Sequence, residues 1–143
     1  EAAGHAARVG HPARGAAEVR LNQVTWPTTD VEGAVAFYRR LGCTLIVHSP
    51  HYARFQAPEG DTSFSVHRVD EMPVSPWTVL YFETDTLDDT VRRLEAAGLV
   101  FDQPPRDEPW LWREARLRDP SGNVICLYHA GVNRLDPPWR VRE

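Results

Sequence analysis

Apolar positions along the chain fall into short β-branched or alternating runs around two amphipathic stretches, and this order occurs twice. Val19 to Trp26 is an apolar, β-branched run that predicts a strand, and Pro27 followed by Thr28, Thr29 and Asp30 predicts a helix start capped by Asp30. Val31, Ala34, Val35, Tyr38 and Leu41 then recur at helical spacing, and Gly42 predicts the stop. The segment beginning at Leu21 aligns without a gap on the segment beginning at Trp77, an offset of 56 residues. In that second copy Leu87, Val91 and Leu94 repeat the helical face, Thr86 takes the cap position and Gly98 the stop. Three strands are expected after each helix: Thr44 to Val47, Tyr52 to Ala57 and Ser63 to Arg68, then Leu99 to Phe101, Trp110 to Leu117 and Asn123 to Tyr128. Ser49-Pro50, Pro58 to Asp61 and the DPSGN stretch Asp119 to Asn123 supply turns between them.

The pattern is therefore two βαβββ units of an α+β protein. Each helix packs on one face of a largely antiparallel sheet, and the other face must find another use. Composition agrees: 143 residues, 42% hydrophobic and 25% charged, are the make-up of one globular domain that needs no disulfide or structural metal to fold. A net charge of -4 gives no electrostatic reason to bind nucleic acid, and no apolar run is long enough for a membrane span. Cys43 and Cys126 lack CxxC spacing, which excludes a disulfide framework or a four-cysteine zinc site and fits a reducing, cytoplasmic setting. Residues 1–18 mix Ala, Gly, Arg and His with almost no large apolar side chain, so a mobile arm is expected there, followed by the folded domain over 19–129 (units 19–70 and 76–129) and a tail over 130–143. The arm lacks the apolar stretch of a secretory signal and starts at Glu1 rather than Met, which points to a processed or shortened start. The tail carries Pro137, Pro138 and Trp139 and is expected to wrap over the domain or a second subunit, pinned by Trp139, with His129 at its base.

Two motifs sharpen the picture. The segment Asp-x-x-x-Ala-x-x-Phe-Tyr-x-x-Leu-Gly (Asp30 to Gly42) and the Asp-Pro-x-Gly-Asn turn (Asp119 to Asn123), set in paired βαβββ units from Val19 to His129, resemble the vicinal oxygen chelate superfamily, which includes glyoxalase I, bleomycin-resistance proteins and extradiol dioxygenases. The resemblance implies sheets that curl into an open barrel, a concave cleft for a small ligand, often a divalent metal (zinc, nickel, iron or manganese), and a homodimer. It also implies metal ligands on the first and last strand of each unit, which fall on Gln23, Ser65, Val79 and Cys126. Gln23 is an accepted ligand type there. The alternative is a glutamine bonded to a neighbouring strand. Valine cannot bind a metal, and Cys126 stands where the superfamily places glutamate. A thiolate binds zinc, but a lone cysteine in a core strand is also an ordinary apolar filler. His67, one step beyond Ser65 on the same face, completes a generous ligand set of Gln23, His67 and Cys126, should the site be retained. His67 is also the candidate general base.

Gln23, His67, Cys126 and Tyr128 are expected to share the cleft. Trp110 and Trp112, spaced by two, are expected on one strand face with Glu108 and Glu114, a surface for stacking a planar or cationic ligand. An edge or dimer contact is the other reading of the tryptophan pair. His51, Tyr52 and Arg54 reach the same side, with Arg54 available to an anion or to a salt bridge. The residues together favour a small-molecule-binding protein of the glyoxalase and bleomycin-resistance type with a degenerate metal site and no cofactor. The alternative is a divalent-metal-dependent lyase or isomerase resembling glyoxalase I. A dioxygenase is weaker, because two histidines and a carboxylate cannot be assembled at these positions.

Overall fold

The computed structural model describes residues 21–74 and 78–142. The expected arm over 1–18 lies outside them. The described chain divides into two compact units, up to Met72 and from Pro73. The first unit contains β1 (Gln23–Thr28), α1 (Val31–Leu41), β2 (Thr44–Ser49), β3 (Tyr52–Gln56) and β4 (Ser63–Arg68). The second contains β5 (Val79–Glu83), α2 (Leu87–Ala96), β6 (Phe101–Asp107), β7 (Arg113–Arg118) and β8 (Val124–His129), closed by a 3-10 turn (Gly131–Arg134). Each unit folds as one four-stranded mixed sheet with the same topology, β1-β4-β3-β2 and β5-β8-β7-β6. In both, the first strand pairs parallel to the last and the other pairings are antiparallel. This is the expected α+β class, built from two βαβββ units. Among the described residues no helix is long and apolar enough to cross a membrane.

The repeat is physical as well as textual. β1 and β5, and likewise α1 and α2, start 56 residues apart. Beyond the helices the spacing widens, so that Tyr52 and Arg113, and Ser63 and Val124, which open equivalent strands, stand 61 apart.

In the first unit the helix face of the sheet is an aromatic core. Trp26 stacks on Phe64 with ring centroids 4.6 Å apart, Phe64 on Phe55 at 5.2 Å, and the fully buried Tyr38 of α1 meets all three. Tyr38 keeps its hydroxyl satisfied at that depth by accepting the Trp26 indole N–H at 3.2 Å. In the second unit Leu87, Val91 and Leu94 are buried against Ala115, Leu117, Ile125 and Leu127. Arg113 clamps the Asp88 carboxylate of α2 with two hydrogen bonds, at 2.9 and 3.0 Å, and the same guanidinium holds Asp88 below the ordinary carboxylate range.

Several boundaries differ from the sequence reading, each for a physical reason. β1 runs through Pro27 to Thr28, because an edge strand bonded on one side tolerates a residue without an N–H. β6 begins at Phe101 and extends through Pro104 and Pro105 to Asp107, again as an edge strand, with a register shift where the prolines sit. β7 begins at Arg113 rather than Trp110. Glu108 to Trp112 form a hairpin turn, closed by a bond from the Glu108 N–H to the Trp112 carbonyl at 2.8 Å, with Leu111 at φ 69°. The tail is held by the Trp112 indole donating to the Asn133 carbonyl at 3.3 Å and by Arg134 beside Glu83 at 3.5 Å, whereas Trp139 is exposed.

The two helix starts are chemically unequal. The Asp30 carboxylate accepts the Gly33 N–H at 2.9 Å, and a Cβ on Gly33 would run into that carboxylate. Thr86 occupies the equivalent position without capping, because its hydroxyl pairs with the Thr90 hydroxyl at 3.1 Å. Asp30→Ala should therefore cost about 1 kcal/mol in urea unfolding, the usual value of a lost cap, and Thr86→Ala clearly less. Equal losses would contradict this assignment of the caps.

Candidate functional site

Strand alternation sends every second side chain to the face turned away from the helix, here called the distal face. In the first unit the register places Gln23, Thr25, Ser63, Ser65, His67, Tyr52, Arg54 and Gln56 there. These side chains bond to one another. The Gln23 amide donates to the Ser65 hydroxyl at 2.8 Å and accepts from Ser63. The Ser65 and Tyr52 hydroxyls meet at 2.5 Å, and Arg54 Nε donates to the Tyr52 oxygen at 2.9 Å. Ser65 is buried, Tyr52 half-buried, and Gln23 and Arg54 are exposed. The Ser65 bond, aided by Arg54, draws the Tyr52 phenol below its ordinary range. His67 lies opposite Pro27 and Tyr52, exposed, and its ring makes no hydrogen bond or ion pair with a described residue. His51 sits exposed in the turn before β3.

The second unit fills its distal face differently. Trp112 stacks on Tyr128 at 4.5 Å, and Tyr81 stands edge-on to both, at 5.9 and 5.6 Å. Beside them Glu114 is almost fully buried and receives the Trp110 indole N–H at 2.7 Å and an Arg116 N–H at 3.0 Å. Burial, then the Glu83 carboxylate, pushes the Tyr128 phenol up. The turn, not strand alternation, brings Trp110 to Glu114. Glu108, Trp110 and Trp112 therefore lie in a turn and not on a strand, yet Trp110 and Trp112 still join Glu114 on the distal face, and the Glu108 carboxylate holds Arg106 at 2.8 Å.

Ser65 and Cys126 sit on the last strands, opposite Arg54 and Arg116. Gln23 and Val79 open the first strands, opposite Ser63 and Val124. The structure thus brings the expected ligand positions together in pairs, Gln23 with Ser65 and Val79 with Cys126. The pairs do not fit a metal. The first is an amide and a hydroxyl already bonded to each other and to their neighbours. The second is a hydrocarbon, which offers no lone pair, packed beside a fully buried thiol that desolvation pushes up to about 12. Among the described residues no cluster of three or more His, Cys, Asp and Glu side chains could hold a metal ion.

A family model described as the Glyoxalase/Bleomycin resistance protein/Dioxygenase superfamily matches residues 20–127. The chain belongs to this superfamily. No curated protein matches it. Among solved structures it is similar to a glyoxalase/bleomycin resistance protein/dioxygenase from Nocardioides, with a TM-score of 0.67 and 23% identity over 96% of this chain and 97% of that one. A bleomycin-binding protein complexed with bleomycin gives a TM-score of 0.63 and 21% identity over 78% and 98% of the two chains. A lactoylglutathione lyase from Agrobacterium tumefaciens gives 0.66 and 16% over 81% and 97%. These likenesses establish the superfamily fold. Binding proteins and a lyase both share it, so the chemistry has to come from the residues.

Sequence reasoning singled out Gln23, Arg54, Trp112 and Tyr128, and it missed three others. Ser65 entered only as a failed ligand position, Tyr81 went unnoticed although the offset pairs it with Thr25, and Arg116 lies two residues beyond Glu114. The two cysteines supply a test. Both are buried, and desolvation pushes each thiol up to about 12, so a disulfide-exchange reagent at pH 8 should titrate neither in the native protein and both after denaturation. Rapid labelling of Cys126 in the folded protein would show a thiol available for chemistry.

Proposed function

We propose that this superfamily member binds small planar organic molecules on the distal face of a sheet with protein side chains alone. The observation that carries the reading is the state of the four expected ligand positions. Gln23 and Ser65 spend their donors and acceptors on each other, on Ser63 and on Tyr52, and Val79 packs on the buried cluster that holds Cys126. The aromatic group Tyr81, Trp112 and Tyr128 supports it, because exposed ring surface attracts planar ligands, and Tyr81 is half exposed. In this reading Gln23 and Arg54 are the ligand contacts of the first unit's face and Trp110, Trp112 and Tyr128 those of the second unit's face, each face taken by itself, and Glu114 serves by holding Trp110 and Arg116. The homodimer and the cytoplasmic setting expected earlier belong to the same proposal.

The second reading, a divalent-metal lyase or isomerase with His67 as base, is favoured by the exposure of Gln23 and His67 on one face. Elemental analysis of untagged protein separates the two. The binding reading expects no stoichiometric zinc, nickel, iron or manganese, even after incubation with each. Stoichiometric metal that disappears in Gln23→Ala and His67→Ala would overturn it. Quenching of tryptophan fluorescence by 2-naphthoate should weaken about tenfold in Trp112→Ala, the scale of one lost ring contact with its buried area.

A further inference from the structure

The hydrogen bonds on the first distal face leave a proton over. Arg54 Nε–H can only donate, and the Gln23 amide nitrogen likewise, so the Tyr52 and Ser65 hydroxyls each accept one fixed donor. The two hydroxyls carry two protons and share a single oxygen–oxygen contact of 2.5 Å, so one proton remains unused. Leaving it on Ser65, which is fully buried, would strand a donor away from water. The economical arrangement has Ser65 donate to Tyr52 and frees the Tyr52 O–H toward the face. Beside it the Arg54 guanidinium is pinned through Nε and lies against the Tyr52 ring, 5.6 Å from its centroid. Its two terminal nitrogens bond to no described residue. The register puts no carboxylate on this face.

We infer that Tyr52 and Arg54 form a binding site for an anionic oxygen group of the ligand, a carboxylate by the fit of its two oxygens to the guanidinium fork. Three donors then converge with no acceptor among them, which suits an oxyanion and repels a cation. Ser65 and Gln23 are positioning residues, fixing which way the Tyr52 proton points. The second unit provides the contrast. Arg116 stands in the place of Arg54, but Glu114, in the place of Tyr52, neutralises it at 3.0 Å. Among the described residues the first sheet therefore offers a free cation on its distal face, and the second does not. This deepens the binding reading and rests on it.

The test is a titration of the nitrogen-15-labelled full chain with benzoate, followed by nuclear magnetic resonance, with benzamide as the neutral control. Benzoate should shift the Arg54 Nε–H signal and the Tyr52 and Ser65 amides saturably, benzamide should not, and the Arg116 Nε–H should stay in place. Tyr52→Phe should weaken benzoate about tenfold, the effect of one hydrogen bond to a charged group, and Arg54→Gln should abolish the response. Glu114→Gln should make Arg116 respond. An unmoved Arg54, equal shifts at Arg54 and Arg116, or unchanged affinity in a folded Tyr52→Phe would overturn the proposal. Stoichiometric metal in the same sample would instead overturn the binding reading, so the two failures are separable.

Discussion

A four-stranded sheet covered by a single helix has a second face, and strand alternation fills that face with every other residue of four strands whether or not anything packs on it. Those side chains must satisfy one another or wait for a ligand. The rest of this protein follows from how each unit meets that condition. The first does so with a chain of hydrogen bonds from Ser63 through Gln23, Ser65 and Tyr52 to Arg54. The second does so with three aromatic rings packed on one another and a buried Glu114 that ties down Trp110 and Arg116. One fold, repeated, thus carries two chemically different faces.

The same constraint lets a superfamily framework be kept while the expected ligand positions no longer suit a metal. A metal ligand needs a free lone pair aimed into the site. At Gln23 and Ser65 the polar atoms are committed to neighbouring strands, and at Val79 and Cys126 apolar packing has replaced polarity. Arg54 and Arg116 occupy matching positions, yet Glu114 neutralises one while Tyr52 leaves the other charged and partly free. Function on this scaffold is decided by which partner each distal residue finds.

Much of the fold was legible because it rests on local rules. The helical faces of Val31 to Leu41 and Leu87 to Leu94 are buried as their spacing predicts, and Gly42 adopts φ 109° at the helix end. What escaped was decided by partners distant in sequence. Thr86 looks like a cap, yet Thr90 takes its hydroxyl. Trp110 and Trp112 look like strand neighbours, but Glu108 to Trp112 fold into a turn that no two-residue period reveals. The reading of Gln23 as a glutamine bonded to the next strand matches the bond to Ser65, while the Tyr52 network needs the β3–β4 register, which the sequence does not print.

The central claim is that the distal faces hold a ligand through their own donors and rings. It is met most directly by titrating 2-naphthoate calorimetrically into the protein before and after exhaustive chelation. The account predicts the same affinity in both samples. Binding that vanishes with the chelator and returns with zinc, nickel, iron or manganese would contradict it.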